Sequence, residues 1–196
     1  MRNWLVIGIS FFLSINLCAQ TLTANQAQQS LRMREIEVNA ASLVQYAGQG
    51  DWTTVQLLVQ AGVSVIEPES VKGQTALHAA AAQGHDRMAS EMLRLGIKPD
   101  AQDTCGSTPI INAAYAGRSS MVSLLLQNLG SLQVNHVAKC GLTPLIAAVL
   151  SGDARTVRVL LDANADTRLS DVHGITPVMA AQRKKRDDIV NLLTAP

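Results

Sequence analysis

An all-α solenoid of helix-turn-helix units, joined by short β-hairpin-like loops, is the expected architecture of this 196-residue chain. Three observations carry that expectation. The first is one phrase written four times: Gly73-Gln74-Thr75-Ala76-Leu77-His78, Gly106-Ser107-Thr108-Pro109-Ile110-Ile111, Gly141-Leu142-Thr143-Pro144-Leu145-Ile146 and Gly174-Ile175-Thr176-Pro177-Val178-Met179. The second is its period, with steps of 33, 35 and 33 residues between the leading glycines. A fixed period of that size means stacked supersecondary units, none of which can bury its apolar face alone. The third is an apolar run at helical spacing behind each phrase: Met88, Ala89, Met92, Leu93; Met121, Val122, Leu124, Leu125, Leu126; Val157, Val159, Leu160, Leu161; Ile189, Val190, Leu192, Leu193.

Each unit then follows from its residues. Thr75, Thr108, Thr143 and Thr176 stand where a helix begins, and a Thr hydroxyl satisfies a free backbone N–H there. Pro109, Pro144 and Pro177 follow at the first helical position, where a missing N–H costs nothing. Nine residues after the first three of these threonines come Gly84, Gly117 and Gly152, each suited to a left-handed helix end. The second helix follows, then a loop into the next phrase. Lys185 takes the place of the inter-helix glycine in the last unit, and two extra residues lie in the loop Gln127–Ala138. An earlier helical pair, Ala40–Tyr46 and Asp51–Gln60, lacks the Thr-Pro phrase. This pair and Thr176–Leu193 are read as the caps of the stack, since terminal repeats are atypical.

At these residues the chain resembles the ankyrin repeat family. The pattern G-x-T-P-L-H-x-A-A-x-x-G-H is met by Gly73 to His85 with Ala76 in the Pro place, and the family's closing loop by Ala61-Gly62-Val63 and Ala163-Asn164-Ala165-Asp166. The family His is kept only as His78 and becomes Ile111, Ile146 and Met179 in the other units. The resemblance covers about residues 38–195 and implies an ankyrin-repeat solenoid, with units near 38–70, 71–103, 104–138, 139–171 and 172–196. It also implies a concave face made by the loop tips and the exposed side of each first helix. In that frame Gln74, Ser107, Leu142 and Ile175 form one row, and Ala82, Tyr115, Leu150 and Arg183 another. Tyr115, Leu142, Leu150, Ile175, Arg183 and Lys184 are therefore the expected partner-binding residues; the alternative is that the apolar members tuck between repeats as extra core.

Residues 1–19 read as a secretory signal peptide. Arg2 is a short positive start, Trp4 to Leu17 is mostly apolar, and Ala19 offers a small residue for cleavage near Ala19–Gln20. The apolar stretch is short for a membrane span of about 20 residues, and Leu17 is too large to precede a lipidated Cys18. Cleavage leaves no membrane span and places the protein in a bacterial-type periplasm. Residues Gln20–Ser30 are polar and Gln-rich, and 20–37 is expected to be a disordered or partly helical leader. The chain holds 16 Lys and Arg against 15 Asp and Glu, and cleavage removes only Arg2, so the remainder is formally neutral. That balance gives no electrostatic reason to expect nucleic acid. The aromatic residues beyond the signal peptide are Tyr46, Trp52 and Tyr115, so the core must be Ala, Leu, Val, Ile and Met.

Cys105 and Cys140 each precede the glycine of their phrase and so mark neighbouring loop tips. An oxidising compartment invites a bridge between them. Equivalent points on successive hairpins stand about 10 Å apart, against the roughly 7 Å that a disulfide tolerates. A bridge and two free thiols both stay open. Cys105, Cys140 and His173 form a row whose steps are too long to converge on one metal ion. The basic run Arg183-Lys184-Lys185-Arg186 is followed at once by Asp187 and Asp188; it reads as a solvated turn or as a contact for an acidic patch on a partner. His78 belongs to the repeat phrase, His85 follows the turn glycine, and His136 and His173 are loop residues. None has an identifiable acidic partner, and there is no phosphate-binding glycine loop. The expectation is a non-enzymatic protein without cofactor or metal, monomeric alone, that binds a folded protein through a preorganised face. A periplasmic adaptor or chaperone-like role linked to oxidant defence, an immunity protein against a periplasm-acting toxin, and an exported virulence factor binding host protein are the roles that fit.

Overall fold

The computed structural model describes residues 23–129 and 134–195. The signal peptide expected at residues 1–19 lies outside the described residues. Eleven helices and no strand occur among those described. They are α1 (Ala24–Met33), α2 (Ala40–Gln49), α3 (Trp52–Gln60), α4 (Ala76–Gln83), α5 (Asp86–Arg94), α6 (Pro109–Tyr115), α7 (Ser119–Leu129), α8 (Pro144–Ser151), α9 (Ala154–Asp162), α10 (Pro177–Arg183) and α11 (Asp187–Thr194). The chain is the expected helical solenoid.

Two layers run along the stack. The first helices α2, α4, α6, α8 and α10 pack in sequence, and so do α5, α7, α9 and α11 behind them. The first helices approach more closely than the second. Their contacts are made by small residues, Ala80 and Ala81, Ala113 and Ala114, Ala147 and Ala148, Ala180 and Ala181, all buried. The second layer is spaced by larger side chains such as Met92, Met121, Leu125, Leu160 and Ile189. Interaxial distance follows the size of the contacting side chains. Unequal spacing in the two layers bends the stack with the first helices on the inside, which makes a concave face.

The loop tips are laced by backbone hydrogen bonds rather than strands. Within a tip, Asp103 N–H donates to Ser107 O at 2.9 Å, Ala138 N–H to Leu142 O at 2.9 Å and Asp171 N–H to Ile175 O at 3.1 Å. Between tips, Thr104 N–H donates to Lys72 O at 2.9 Å, Lys139 N–H to Cys105 O at 3.0 Å and Val172 N–H to Cys140 O at 3.5 Å. The tip glycines serve twice. Gly141 has φ of +78°, and a Cβ placed on it would stand 2.5 Å from Val172 N and 2.6 Å from Asp171 Cα. Gly174 has φ of +73° with nothing within 4 Å, because no tip stacks on it.

Side chains tie each unit to the one before. The helix ends at Gly50, Gly84 and Gly152 are left-handed, and Lys185 takes φ of +54° where the last unit has no glycine. Into the carbonyls near these ends reach donors from the next unit: His85 Nε2 to Gly48 O at 3.1 Å, Arg118 Nε to Ala82 O at 3.4 Å, Lys184 Nζ to Leu150 O at 2.7 Å and Arg186 Nη1 to Gly152 O at 2.5 Å. A donor, best a cation, at a helix C-terminus satisfies orphan carbonyls and complements the helix dipole. His78 is fully buried and bridges two units. Its Nδ1 accepts from Thr75 N–H at 3.1 Å and its Nε2 donates to Ser107 O at 3.1 Å. Burial pushes its pKa below the usual value, against the raising effect of that Ser107 bond. In the unit at 104–138 Ile111 stands in the place of His78, and the buried hydroxyl of Thr108 has no partner.

The leader, expected as disordered or partly helical at 20–37, contains the capped helix α1. Thr23 and Gln26 form a reciprocal capping box, Ala27 and Leu31 are buried, and the helix packs on α3. Ala27 and Leu31 are four apart and so share one helical face. The Gln-rich polar face around them concealed that pair. The helix pair at Ala40–Gln60, read as the outer cap, is therefore itself covered: α1 sits against α3 as α7 sits against α9.

Two outcomes are expected. Gly174→Ala carries only the left-handed penalty of about 1–2 kcal/mol, whereas Gly141→Ala adds displacement of the next tip, about 1–3 kcal/mol more; urea denaturation of both variants checks the difference. His78 binds its proton less readily folded than unfolded, so stability is whole above the unfolded pKa and declines as pH falls below about 6.5. The melting temperature should drop between about pH 7.5 and pH 5.5, and His78→Ile, which copies Ile111 and Ile146, should flatten that drop.

Candidate partner-binding face

The inner face is built from two sets of positions. The tips supply the two residues before each leading glycine: Val71-Lys72, Thr104-Cys105, Lys139-Cys140 and Val172-His173. All eight are exposed. A residue at a hairpin apex has no neighbour outward of it, so its side chain meets solvent whatever its chemistry. The first helices supply the residues at their C-terminal ends, where the helix leaves the core.

The six expected contact residues divide on this geometry. Tyr115 is the last residue of α6 and is 60% exposed, large for an aromatic side chain. Arg183 ends α10 and Lys184 caps it, both exposed. Leu142 and Ile175 are half-buried and pack against the core, so these two apolar side chains tuck between repeats. Their backbones close the tip turns, Leu142 O accepting from Ala138 N–H and Ile175 N–H donating to Asp171 Oδ1 at 2.9 Å. Leu150 is half-buried on α8, and its carbonyl holds Lys184 Nζ. Tyr115, Arg183 and Lys184 thus remain on the open face, and Leu150 at its edge.

The face also holds residues that the repeat rows did not single out. Val71 is 79% and Val172 63% exposed on the tips; Met179, also exposed, holds the register of the buried His78, Ile111 and Ile146 and so lies at the end of the stack rather than on this face. Their register was readable: Val71 and Val172 stand two residues before Gly73 and Gly174. Cys105 and Cys140 are both exposed free thiols, with no bridge between them. The backbones on either side are joined by the bond from Lys139 N–H to Cys105 O. His136 is committed elsewhere, its Nε2 donating to Gly106 O at 2.8 Å.

Charge is sorted at the tips. The carboxylates turn inward onto their own loops. Asp103 Oδ1 accepts from Cys105 N–H and Ser107 N–H, each at 2.9 Å. Asp171 Oδ1 accepts from Ile175 N–H and from His173 N–H at 2.8 Å, and these bonds hold its carboxyl below the ordinary value. At Glu69 burial pulls the pKa upward, but the N–H groups of Val71, Lys72 and Gln74 together outweigh it and the net direction is down. The third tip has Ala138 in this place and no carboxylate. Lys72 on the first tip is exposed, and Lys139 on the third lays its Nζ on Thr104 O of the preceding tip at 2.8 Å.

Behind the stack, α3 and α5 hardly touch, which leaves a groove of about 650 Å³ lined by Trp52, Gln56, His85, Asp86, Met88 and Glu91. It lies on the second-helix side, away from the tips. No group of three or more His, Cys, Asp and Glu side chains among the described residues could hold a metal ion. No helix among them is long and apolar enough to cross a membrane.

Comparison with known proteins agrees with this architecture. The family described as Ankyrin repeats (3 copies) matches residues 38–136 and 129–196. The chain is similar to the Inactive serine/threonine-protein kinase TEX14 of Mus musculus, 33% identical over 95 residues, covering 48% of this chain and 6% of that protein. It is similar to the same protein of Bos taurus, 33% identical over 106 residues, covering 54% and 7%. It is also similar to the B-cell lymphoma 3 protein homolog of Mus musculus, 33% identical over 126 residues, covering 64% and 28%. The matched segments span between 6% and 28% of these relatives' own lengths. With its four phrases, its two helical layers, its tip ladder and a family match over most of its length, the chain belongs to the ankyrin repeat family, whose repeats are protein–protein interaction modules.

Proposed function

We propose that this protein is a non-catalytic binding module that holds a folded protein partner against its concave face. The observation that carries this reading is Tyr115, 60% exposed at the inner end of α6 between units whose backbones are locked together by the tip ladder. A large aromatic side chain on a rigid face that also carries Arg183 and Lys184, two units further on, is the composition of an interface anchor. The stack is preorganised, so little conformational freedom is lost on binding. Leu150 holds the register of Tyr115 in the next unit, while Leu142 and Ile175 are half-buried against the core.

Export to a bacterial periplasm is part of the proposal. Its support is the sequence pattern of residues 1–19, with Arg2, the apolar run from Trp4 to Leu17, and Ala19 at the cut. Within that compartment the face serves an adaptor or an immunity protein equally well. A toxin gene beside this one in the genome favours the second.

Replacing Tyr115→Ala together with Leu150→Ala should abolish capture of the partner from a periplasmic extract while helicity, read by circular dichroism, stays intact. Truncating an anchor of this kind costs about 2–4 kcal/mol, or 30-fold or more in affinity. Capture that is unchanged in the double variant removes this face as the binding surface.

A further inference from the structure

Cysteine is among the residue types most often buried, yet Cys105 and Cys140 both stand exposed as free thiols on the second and third tips. The two tips touch at the residues around them. Lys139 N–H donates to Cys105 O at 3.0 Å, and Lys139 Nζ reaches Thr104 O at 2.8 Å. A Cβ on Gly106 would stand 3.2 Å from Lys139 N. Ordinary bond lengths along this path hold the Cα atoms of Cys105 and Cys140 within about 10 Å of each other. A bridge wants them within about 7 Å, so one tip must move by up to about 3 Å to close it. The two tips are not held alike. Asp103 Oδ1 accepts from Cys105 N–H and Ser107 N–H and so pins the second tip. Asp171 Oδ1 does the same for the fourth, through His173 N–H and Ile175 N–H. The third tip has Ala138 in this place, so no carboxylate of its own turn holds Cys140 N–H. On its far side the bond from Val172 N–H to Cys140 O is 3.5 Å, the longest of the three between tips. Cys140 is the less restrained of the pair.

We propose that Cys105 and Cys140 form a thiol–disulfide exchange site, which takes small disulfides and closes a reversible bridge between the second and third tips. One Cys thiolate attacks a sulfur of the incoming disulfide; a mixed disulfide forms and one thiolate leaves. The other Cys thiolate then attacks the Cys sulfur of that mixed bond. The S–S bond between the tips forms, and the second thiolate leaves. The small disulfide gains two electrons, the Cys pair loses two, and the two Cys protons end on the released thiols. The bridge holds the third tip away from its resting place. A strained and exposed disulfide is the readily reduced kind, so the pair acts as a switch rather than a staple. Closing it draws Cys140 O from Val172 N–H and changes the spacing of the tips. The site stands whichever protein the concave face holds.

The test uses the full chain with Cys18→Ser, so that the pair alone carries thiols, and oxidised glutathione as the small disulfide. Peptide mass spectrometry after alkylation should find Cys105 linked to Cys140 within one chain, with no glutathione retained. Excess reduced glutathione should reopen the bond. Cys105→Ser and Cys140→Ser should each stop at a glutathione adduct on the remaining cysteine, since the second attack is lost. Ala138→Asp, which gives the third tip the carboxylate of its neighbours, should slow closure about fivefold at unchanged helicity, the worth of one added hydrogen bond. Two thiols left unreacted, glutathione retained on both cysteines, a dimer linked through them, or a bridge that excess reduced glutathione leaves intact would overturn the proposal. Closure at an unchanged rate in Ala138→Asp overturns it too, because the third tip is then not the part that moves.

Discussion

Close approach of one unit's first helix to the next is the constraint on which this molecule rests. It needs small side chains at the contact, and Ala80, Ala81, Ala113, Ala114, Ala147, Ala148, Ala180 and Ala181 supply them without exposure to solvent. Each unit alone is too small to hold a core, so the buried area that stabilises it lies mostly on its neighbours. The second helices, spaced by Met, Leu and Ile, cannot come as near. The resulting bend places tips and first-helix ends on one face, and with them Tyr115, Lys139 and Arg183. Function follows from packing here through geometry: the core contacts decide which way the surface curves.

Polar groups complete the stacking where apolar ones cannot. The ends of the first helices expose carbonyls, and donors from the following unit, His85, Arg118, Lys184 and Arg186, fall upon them. At the tips, backbone N–H groups of one loop meet carbonyls of the last. His78 does the same work inside, as a neutral ring with one nitrogen accepting and the other donating. Protonation would set a second donor against Thr75 N–H, and burial favours the neutral form over the raising effect of the Ser107 bond. The unit at 104–138 manages without this bridge, and its Thr108 Oγ1 has no partner.

The candidate face was only partly legible. Tyr115 and Arg183 were placed on it by register and Lys184 by the basic run, and they are exposed because they occupy helix ends that leave the core. Leu142 and Ile175 share a register with Gln74 and Ser107 but have apolar side chains, which turn in against the core. A row in the repeat states where a Cβ starts, and the chemistry of the side chain states where it ends. The tip residues Val71 and Val172 show the opposite case: their neighbours leave them nothing to pack against, so they stay exposed. The helix α1 was hidden by composition, since two apolar residues, Ala27 and Leu31, among glutamines suffice when a neighbouring helix offers a surface.

The repeat phrase alone settled the existence, type and order of the units from 38 onward, because Thr, Pro and Gly act locally on the backbone at their own positions. Local rules of that kind need no knowledge of what lies across the fold. The curvature, the burial of Leu142 and Ile175, the docking of α1 and the inward turn of Asp103 and Asp171 depend on partners more than one unit away or on loop hydrogen bonds that composition does not reveal. The charge pattern belongs with these. A count of 16 bases and 15 acids is silent on which carboxylates are tied to backbone N–H groups, and only the folded loops show it.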